Sequence, residues 1–306
     1  MSGKSGSSTL PGSVIWLLVA MSLVWGGNWP IMKLVLAEMP PLSFRAFCLL
    51  IGSAGLFLIA LGRGISIRVP EGQWPNLVTQ AVLNMAAWNV LAVFGLRYMD
   101  SGRAAIIAYT FPVWSTLLSV WWLREPLTAR KVAGLVLGMG GMALLLGSDI
   151  AAVGRSPAGA LLLSASAISW AVGTVVMKKR PVGLSPLPLA AWQVFIASIP
   201  LCAGALIFED GPYHPFGLSP GPMFGVLYNA MGSFVFCNWA WFKIANSSSP
   251  SVSSLSTLII PVVGVISGAL MLGERPAPTD LAALALVIAA LATVILPSRK
   301  SRASPG

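Results

Sequence analysis

Charged residues are scarce in this sequence, and that scarcity excludes most classes of soluble protein. Only 9% of the 306 residues are Asp, Glu, Lys or Arg, whereas 56% are hydrophobic and the mean hydropathy is +0.82. A soluble domain carries about a quarter charged residues, so this chain cannot cover a surface that faces water. We therefore expect its main solvent to be lipid.

Histidine and cysteine are also nearly absent, which argues against catalysis and metal binding. The one histidine, His214, falls in a predicted loop, and Cys48, Cys202 and Cys237 fall inside apolar runs at unrelated spacings. No Ser/His/Asp set, paired intramembrane carboxylate or metal-ligand cluster can be assembled from the sequence. We expect no catalytic residue, no metal and no cofactor.

Long apolar runs make up most of the chain. Ten runs of at least 17 residues contain no charged residue, the first at 10–32 and the last at 281–298. A spanning helix needs about 20 apolar residues, with about 17 as the lower limit. The alternating segments typical of a β-barrel are not found. The sequence therefore predicts an all-α integral membrane protein with ten transmembrane helices.

The basic residues are distributed unevenly between the predicted loops. With the N-terminus placed inside, 13 Lys and Arg residues fall on the inner side and 6 on the outer side. An excess of Lys and Arg marks the cytoplasmic side, so we expect a bacterial-type inner membrane protein with both termini in the cytoplasm. The formal charge of +10 then serves topology and predicts no nucleic-acid partner.

The sequence repeats itself at about half its length. "FPVWSTLLSVWWLREPLT" at 111–128 is matched by "IPVVGVISGALMLGERPAPT" at 260–279, and "WGGNWPIMK" at 25–33 by "WAVGTVVMK" at 170–178. Each half then has five spans, and because five is odd, equivalent helices must cross the membrane in opposite directions. Inverted repeats of this kind build many secondary transporters, whose substrate site lies near the midplane.

These repeats define the predicted organisation of the chain. We predict a disordered N-terminus at 1–13, a first five-helix repeat at 14–148, a linker at 149–157, a second and inverted repeat at 158–297, and a cytoplasmic basic tail at 298–306.

The repeated motifs resemble those of the drug/metabolite transporter superfamily, EamA type. Each first helix has a tryptophan and a lysine separated by seven residues, each fourth helix has a proline, and the fourth helices close in "LREPLT" and "LGERPAPT". The likeness covers residues 14–297 and is greatest to the inner-membrane exporters of aromatic and neutral amino acids. It implies a central cavity, alternating access and, as is usual for the class, proton antiport.

Polar and aromatic side chains in the first, third and fourth helices of each half are the candidates for a substrate site. Polar residues within spans usually face the protein interior, and an indole offers both a donor and a stacking surface. An amide beside an indole suits a ligand with a polar head and an apolar body. The predicted substrate-binding residues are Trp25, Asn28, Asn84, Trp88, Asn89, Tyr109, Trp170, Asn238 and Trp239.

A structural role is the alternative for several of these residues. Trp25 would then be an aromatic residue at the lipid interface, and Asn89 and Asn238 would join helices by hydrogen bonds. Arg45 is the one basic residue that begins inside a span. Its side chain either snorkels outward or meets a substrate carboxylate.

The prolines and glutamates of the repeated phrases are expected to serve gating. Pro30, Pro112 and Pro261 each remove a helical hydrogen bond and bend their helix. The odd helix count places Glu125 and Glu274 at opposite faces of the membrane, where they end matching hairpins. We expect these two glutamates to help hold alternate gates.

The candidate lining is uncharged and rich in tryptophan, which favours a small neutral or zwitterionic substrate, amino acids above all. A multidrug or cationic-compound exporter of the same superfamily is one alternative. A non-transporting membrane scaffold or enzyme subunit is the alternative of another class. Because no acid lies deep in a span, transport is either facilitated diffusion or proton antiport, and the sequence leaves both the direction and the oligomeric state open.

Overall fold

The computed structural model describes residues 12–124, 126, 128–151, 157–211, 214–241 and 250–295. Every regular element in these ranges is helical, which confirms the all-α prediction for this part of the chain. We call 12–151 the first half and 157–295 the second half. The first half contains α1 (Gly12–Val35), α2 (Pro41–Gly62), α3 (Trp74–Leu96), α4 (Ser101–Trp122) and α5 (Ala129–Ala151).

The second half follows the same order of helices. Its first two helices are α6 (Ala158–Lys179) and α7 (Pro186–Phe208). Then α8 begins as Pro220–Leu227, passes through a π-helical segment at Tyr228–Phe236 and continues over 237–241. The last two are α9 (Pro250–Leu272) and α10 (Pro278–Ile295).

Six helices of the described residues are long and apolar enough to cross a membrane, namely α1, α2, α3, α4, α6 and α7. Shorter apolar helices cover Lys131–Leu145, Ile259–Leu272 and Pro278–Thr293, within α5, α9 and α10. The chain is therefore a multi-pass membrane protein. These six helices are candidate spans that agree with the prediction, and the full number of ten stays a prediction.

The third helix of each half, α3 and α8, contains a wider π-helical turn near its middle. In α3 this turn lies at Val82–Ala87, and such turns are frequent at functional sites. They leave backbone carbonyls without their ordinary helical partners, and α6 of the second half supplies donors. Ser169 Oγ donates to the carbonyl of Leu83 at 2.8 Å, and Ser166 Oγ to the carbonyl of Trp88 at 3.1 Å.

The two halves pack against each other through matching helices. Helix α2 packs along α7, and α5 along α10. Helix α1 lies against α8 and α9, just as α6 lies against α3 and α4. One contiguous apolar core runs through these contacts, and its fully buried members include Phe44, Leu49, Ile106 and Leu163.

The three prolines predicted as hinges occupy different positions in their helices. Pro30 lies within α1 and Pro261 within α9, whereas Pro112 is the second residue of the second segment of α4, which follows a break at Tyr109 and Thr110. The carbonyl of Gly26 loses its helical partner because Pro30 has no N–H. Its oxygen lies 3.5 Å from Ser267 Oγ of α9. The role of these prolines as hinges stays a prediction.

The close approach of α1 to α9 yields a stability prediction at Gly26. A Cβ atom at Gly26 would lie 2.4 Å from Val263 Cβ and 3.0 Å from the carbonyl oxygen of Ile260. Neither atom is the flexible end of a side chain, so we expect Gly26→Ala to lower the free energy of unfolding by about 1–3 kcal/mol. Thermal unfolding in detergent measures the loss.

Gly140→Ala is the matched control, because nothing lies within 4 Å of a Cβ atom at that helical position. It makes the same chemical change without a clash. Equal melting temperatures for the two variants would contradict the packing of α1 on α9.

Candidate functional site

Three of the predicted substrate-binding residues meet in one aromatic cluster, formed by α3, α4 and α6. The ring of Trp88 lies 5.0 Å from that of Trp170, centroid to centroid, and 6.3 Å from that of Phe111. Phe111 in turn lies 6.0 Å from both Tyr109 and Trp170. We call these four half-buried residues the first aromatic cluster. It joins helices of both halves.

The second aromatic cluster consists of Trp25, Phe236, Trp239 and Trp241. Trp25 and Trp241 are 6.4 Å apart, and Phe236 and Trp239 are 6.1 Å apart. All four pack around a small buried core that includes Cys237. Trp25 Nε1 donates to the carbonyl of Ser233, in the π-helical segment of α8, at 3.3 Å. The predicted tryptophans are therefore divided between two clusters.

Two buried amide oxygens lie on the helices that form these clusters. Asn28 of α1 donates through Nδ2 to Met32 Sδ at 3.1 Å, and Asn84 of α3 to Met177 Sδ at 3.0 Å. Within the described residues, neither Oδ1 atom has a hydrogen-bond partner. An unsatisfied buried polar group costs about 1–3 kcal/mol, so these oxygens are candidates for contact with a ligand.

Asn89 and Asn238 instead complete the backbone of their helices. Asn89 Nδ2 donates to the carbonyl of Met85 at 2.7 Å, and Asn238 Nδ2 to that of Phe234 at 2.8 Å. Asn89 Oδ1 also accepts hydrogen bonds from the guanidinium of Arg45. The outward snorkelling considered for Arg45 is therefore wrong, because this side chain is turned into the bundle and is 5% exposed. Substrate contact by either asparagine stays a prediction.

One end of the bundle is closed by glutamates that cap helices of the other half. Glu274, which follows α9, accepts from the backbone N–H groups of Ser101 and Gly102 at the start of α4, at 2.7 and 3.1 Å. It also accepts from Ser101 Oγ at 2.9 Å and lies 3.3 Å from Lys33 Nζ. Carboxylates are stabilised at helix N-termini, where N–H groups are unpaired. Burial raises the pKa of Glu274, but these donors and Lys33 outweigh it and lower the pKa below its ordinary value of 4.5.

Two further glutamates repeat this arrangement at the same end. Glu209, at the end of α7, accepts from the N–H groups of Leu42 and Ser43 at the start of α2, both at 2.8 Å. Glu38, after α1, accepts from the N–H and hydroxyl of Ser219 at the start of α8. The hydroxyl and N–H of Ser219 lower the pKa of Glu38. We call this the glutamate-capped end.

The predicted gating residues have different outcomes. Glu274 is one of the three caps, whereas Glu125 lies outside the described residues. Glu38, Glu209 and Phe111 were missed by the sequence analysis. The two glutamates were visible as members of a set of only nine acids, but no pattern in the sequence indicated that each would reach a helix of the other half.

Comparison with known proteins assigns both halves to one family. Residues 12–147 and residues 157–296 each match the EamA-like transporter family. The chain belongs to that family. The EamA domain is thus present twice, and the resemblance found in the repeated motifs is confirmed.

Relatives of this EamA protein are named as transporters. It is 31% identical over 296 residues to "Uncharacterized transporter YvbV" of Bacillus subtilis, covering 94% of this chain and 93% of the relative. It is 26% identical over 281 residues to a "Probable amino-acid metabolite efflux pump" of Escherichia coli, covering 86% and 87%. A pump of the same name from Salmonella typhimurium is 25% identical over 295 residues, covering 90% and 92%.

A solved structure has the same fold. The crystal structure of a protein 21% identical to this EamA chain matches it with a TM-score of 0.68, covering 96% of this chain and all of the other. At that identity the likeness supports the fold alone.

The capping of α4 by Glu274 yields a prediction on acid stability. A carboxylate with a lowered pKa stabilises the folded state above its ordinary pKa, and this contribution is lost as the pH falls through the lower, folded-state value. We expect Glu274→Gln to lose about 1–3 kcal/mol at neutral pH, because its donors then face a neutral amide. As the pH falls below 4.5, the variant should lose less further stability than the wild type, because it has no carboxylate to protonate at this cap.

Melting temperatures in detergent over this pH range measure both effects. Glu71→Gln, at an exposed loop position, is the control and should follow the wild type at every pH. An acid profile of Glu274→Gln identical to that of the wild type would contradict the account of the cap.

Proposed function

We propose that the chain is a secondary transporter of small neutral or zwitterionic metabolites, above all amino acids. The observation that carries this proposal is the placement of the unpaired Asn28 and Asn84 oxygens on helices that also form the two aromatic clusters. An amide oxygen accepts hydrogen bonds from an ammonium group, and tryptophan rings contact an apolar body. This pairing suits aromatic and apolar amino acids.

The names of two relatives support the same substrate class. The E. coli and S. typhimurium proteins are named as probable amino-acid metabolite efflux pumps, and export is therefore the direction that we propose. Identity near 25% does not by itself transfer a substrate, so the choice of amino acids rests on the residues described above.

For the mechanism we propose alternating access by two inverted five-helix repeats. Its support is the reciprocal packing, in which the first helix of each half contacts the third and fourth helices of the other. Rocking of two such repeats exposes a site between them to each side in turn. The excess of basic residues on the opposite side favours an outward orientation of the glutamate-capped end, with both termini in the cytoplasm of a bacterial cell.

Flux in proteoliposomes tests the proposed function. Purified full-length protein should accelerate the exchange of labelled phenylalanine and leucine over protein-free liposomes. Parallel runs with and without an imposed proton gradient separate antiport from facilitated diffusion. Flux of organic cations alone would replace the proposal with a multidrug exporter, and no flux of any small metabolite would overturn transport altogether.

Replacing one tryptophan in the first aromatic cluster tests the site. We expect Trp170→Leu to lower phenylalanine flux about ten-fold, because an aromatic contact and its apolar area are lost. Trp121→Leu is the matched control, since Trp121 lies on α4 and is 78% exposed. Equal flux through the two variants, both folded by size-exclusion chromatography, would remove the cluster from the substrate site.

A further inference from the structure

Arg45 is held at the interface of the two halves by amide oxygens alone. Its Nε lies 2.9 Å from Asn89 Oδ1 and its Nη1 lies 3.0 Å from Asn229 Oδ1, while Nη2 also donates to Asn89 Oδ1. Asn89 belongs to the third helix of the first half, and Asn229 to the third helix of the second. Both asparagines are almost completely buried.

No carboxylate of the described residues forms an ion pair with this guanidinium. Glu209 caps the same helix but directs its oxygens to Leu42 and Ser43. The remaining contacts of Arg45 are the ring faces of Phe44 and Phe234, at 5.4 and 5.0 Å. A buried cation without a counter-ion is costly, since neutral partners replace only part of its hydration.

The hydrogen bonds of Arg45 follow the pattern that a carboxylate would make. Asn89 Oδ1 accepts from both Nε and Nη2, which is the edge of the guanidinium that a carboxylate occupies with two parallel hydrogen bonds. Asn229 comes from the other half, so a relative movement of the halves separates Nη1 from its acceptor. The freed N–H group then requires a new acceptor.

The second half has no equivalent cation. The repeat aligns Ala190 with Arg45, and the nearby polar contact there is between two neutral side chains, with Gln193 Nε2 lying 3.4 Å from Gln80 Oε1. Arg103 is the other arginine buried at the interface, and it differs from Arg45 because it lies 3.4 Å from a carboxylate, Asp280 Oδ1 of α10. Arg45 is therefore the buried arginine of the described residues that faces amides and no acid, which is where an anionic ligand group gains most.

We propose that Arg45 is the binding site for the carboxylate of the transported substrate, with Asn89 and Asn229 as the groups that the carboxylate displaces. This inference rests on the proposed function and deepens it, because it selects substrates that carry a carboxylate over amines and neutral metabolites. The rings of Phe44 and Phe234 lie over the guanidinium and place apolar surface beside a carboxylate bound there.

Paired ligands test the proposal by isothermal titration calorimetry on the purified full-length protein. L-phenylalanine and L-phenylalaninamide share the ammonium group and the ring, and differ in that the amide has no carboxylate. We expect the wild type to bind phenylalanine at least ten-fold more tightly than the amide. Arg45→Gln should reduce phenylalanine affinity to that of the amide, with affinity for the amide unchanged, and Arg45→Lys should restore part of the preference.

Asn229→Asp provides an independent variant that keeps the arginine. It places a carboxylate of the protein itself beside Nη1, which competes with the ligand, so phenylalanine affinity should again fall about ten-fold while amide affinity is retained. Arg97→Gln, at an exposed position after α3, is the matched control for loss of an arginine and should bind both ligands as the wild type does.

The possible outcomes separate the Arg45 site from transport itself. The carboxylate site would be overturned if the wild type bound neither ligand or showed no preference between them. It would also be overturned if Arg45→Gln kept the preference for phenylalanine, or if folded Arg45→Gln and Asn229→Asp lost affinity for both ligands equally. If the preference is found and depends on Arg45 but proteoliposomes show no flux, the site stands and the proposed function fails. If proteoliposomes show flux but the protein binds phenylalanine and its amide equally well, the proposed function stands and the Arg45 site fails.

Discussion

Polar groups inside a membrane protein must find partners within the protein, since lipid offers none, and in this chain each half supplies partners for the other. The N–H groups at the start of α4 are capped by Glu274 of the second half, and those at the start of α8 by Glu38 of the first. The carbonyl of Leu83, freed by the π turn of α3, accepts from Ser169 of α6. The fold of either half is thus completed by its neighbour.

This mutual dependence limits how the halves can move. A movement that separates them at the glutamate-capped end leaves three carboxylates and the starts of three helices to be solvated, which water on that side of the membrane can do. The same movement deeper in the bundle parts Arg45 from Asn229 of the other half, and in our proposal the carboxylate of the substrate takes the place of that amide. In our proposal, opening at the glutamate-capped end is thereby coupled to substrate binding at Arg45.

The sequence predicted the apolar helices and the duplication because both depend on patterns that repeat along the chain. It also predicted that Trp88, Tyr109 and Trp170 belong together, since aromatic and amide residues recur in matching helices. The contact of Arg45 with Asn229 and the caps formed by Glu38 and Glu209 could not be predicted, because each joins residues more than 160 positions apart. The π turns have no signature in residue type, so the asparagines that complete them were interpreted as substrate contacts or as hydrogen bonds between helices, and their bonds within their own helices were missed.

The central claim is that the two halves are clasped at the glutamate-capped end and must separate there for transport. Replacing Cys48, Cys202 and Cys237, the free cysteines of the structure, with alanine allows a new pair, Glu38→Cys with Ser219→Cys, to be joined by a short bis-methanethiosulfonate. This reagent forms a mixed disulfide with each thiol, releases methanesulfinate and is removed by reduction. The measurement is phenylalanine flux in proteoliposomes before joining, after joining and after reduction. The account predicts that joining abolishes flux and that reduction restores it, whereas undiminished flux through the joined protein would contradict it.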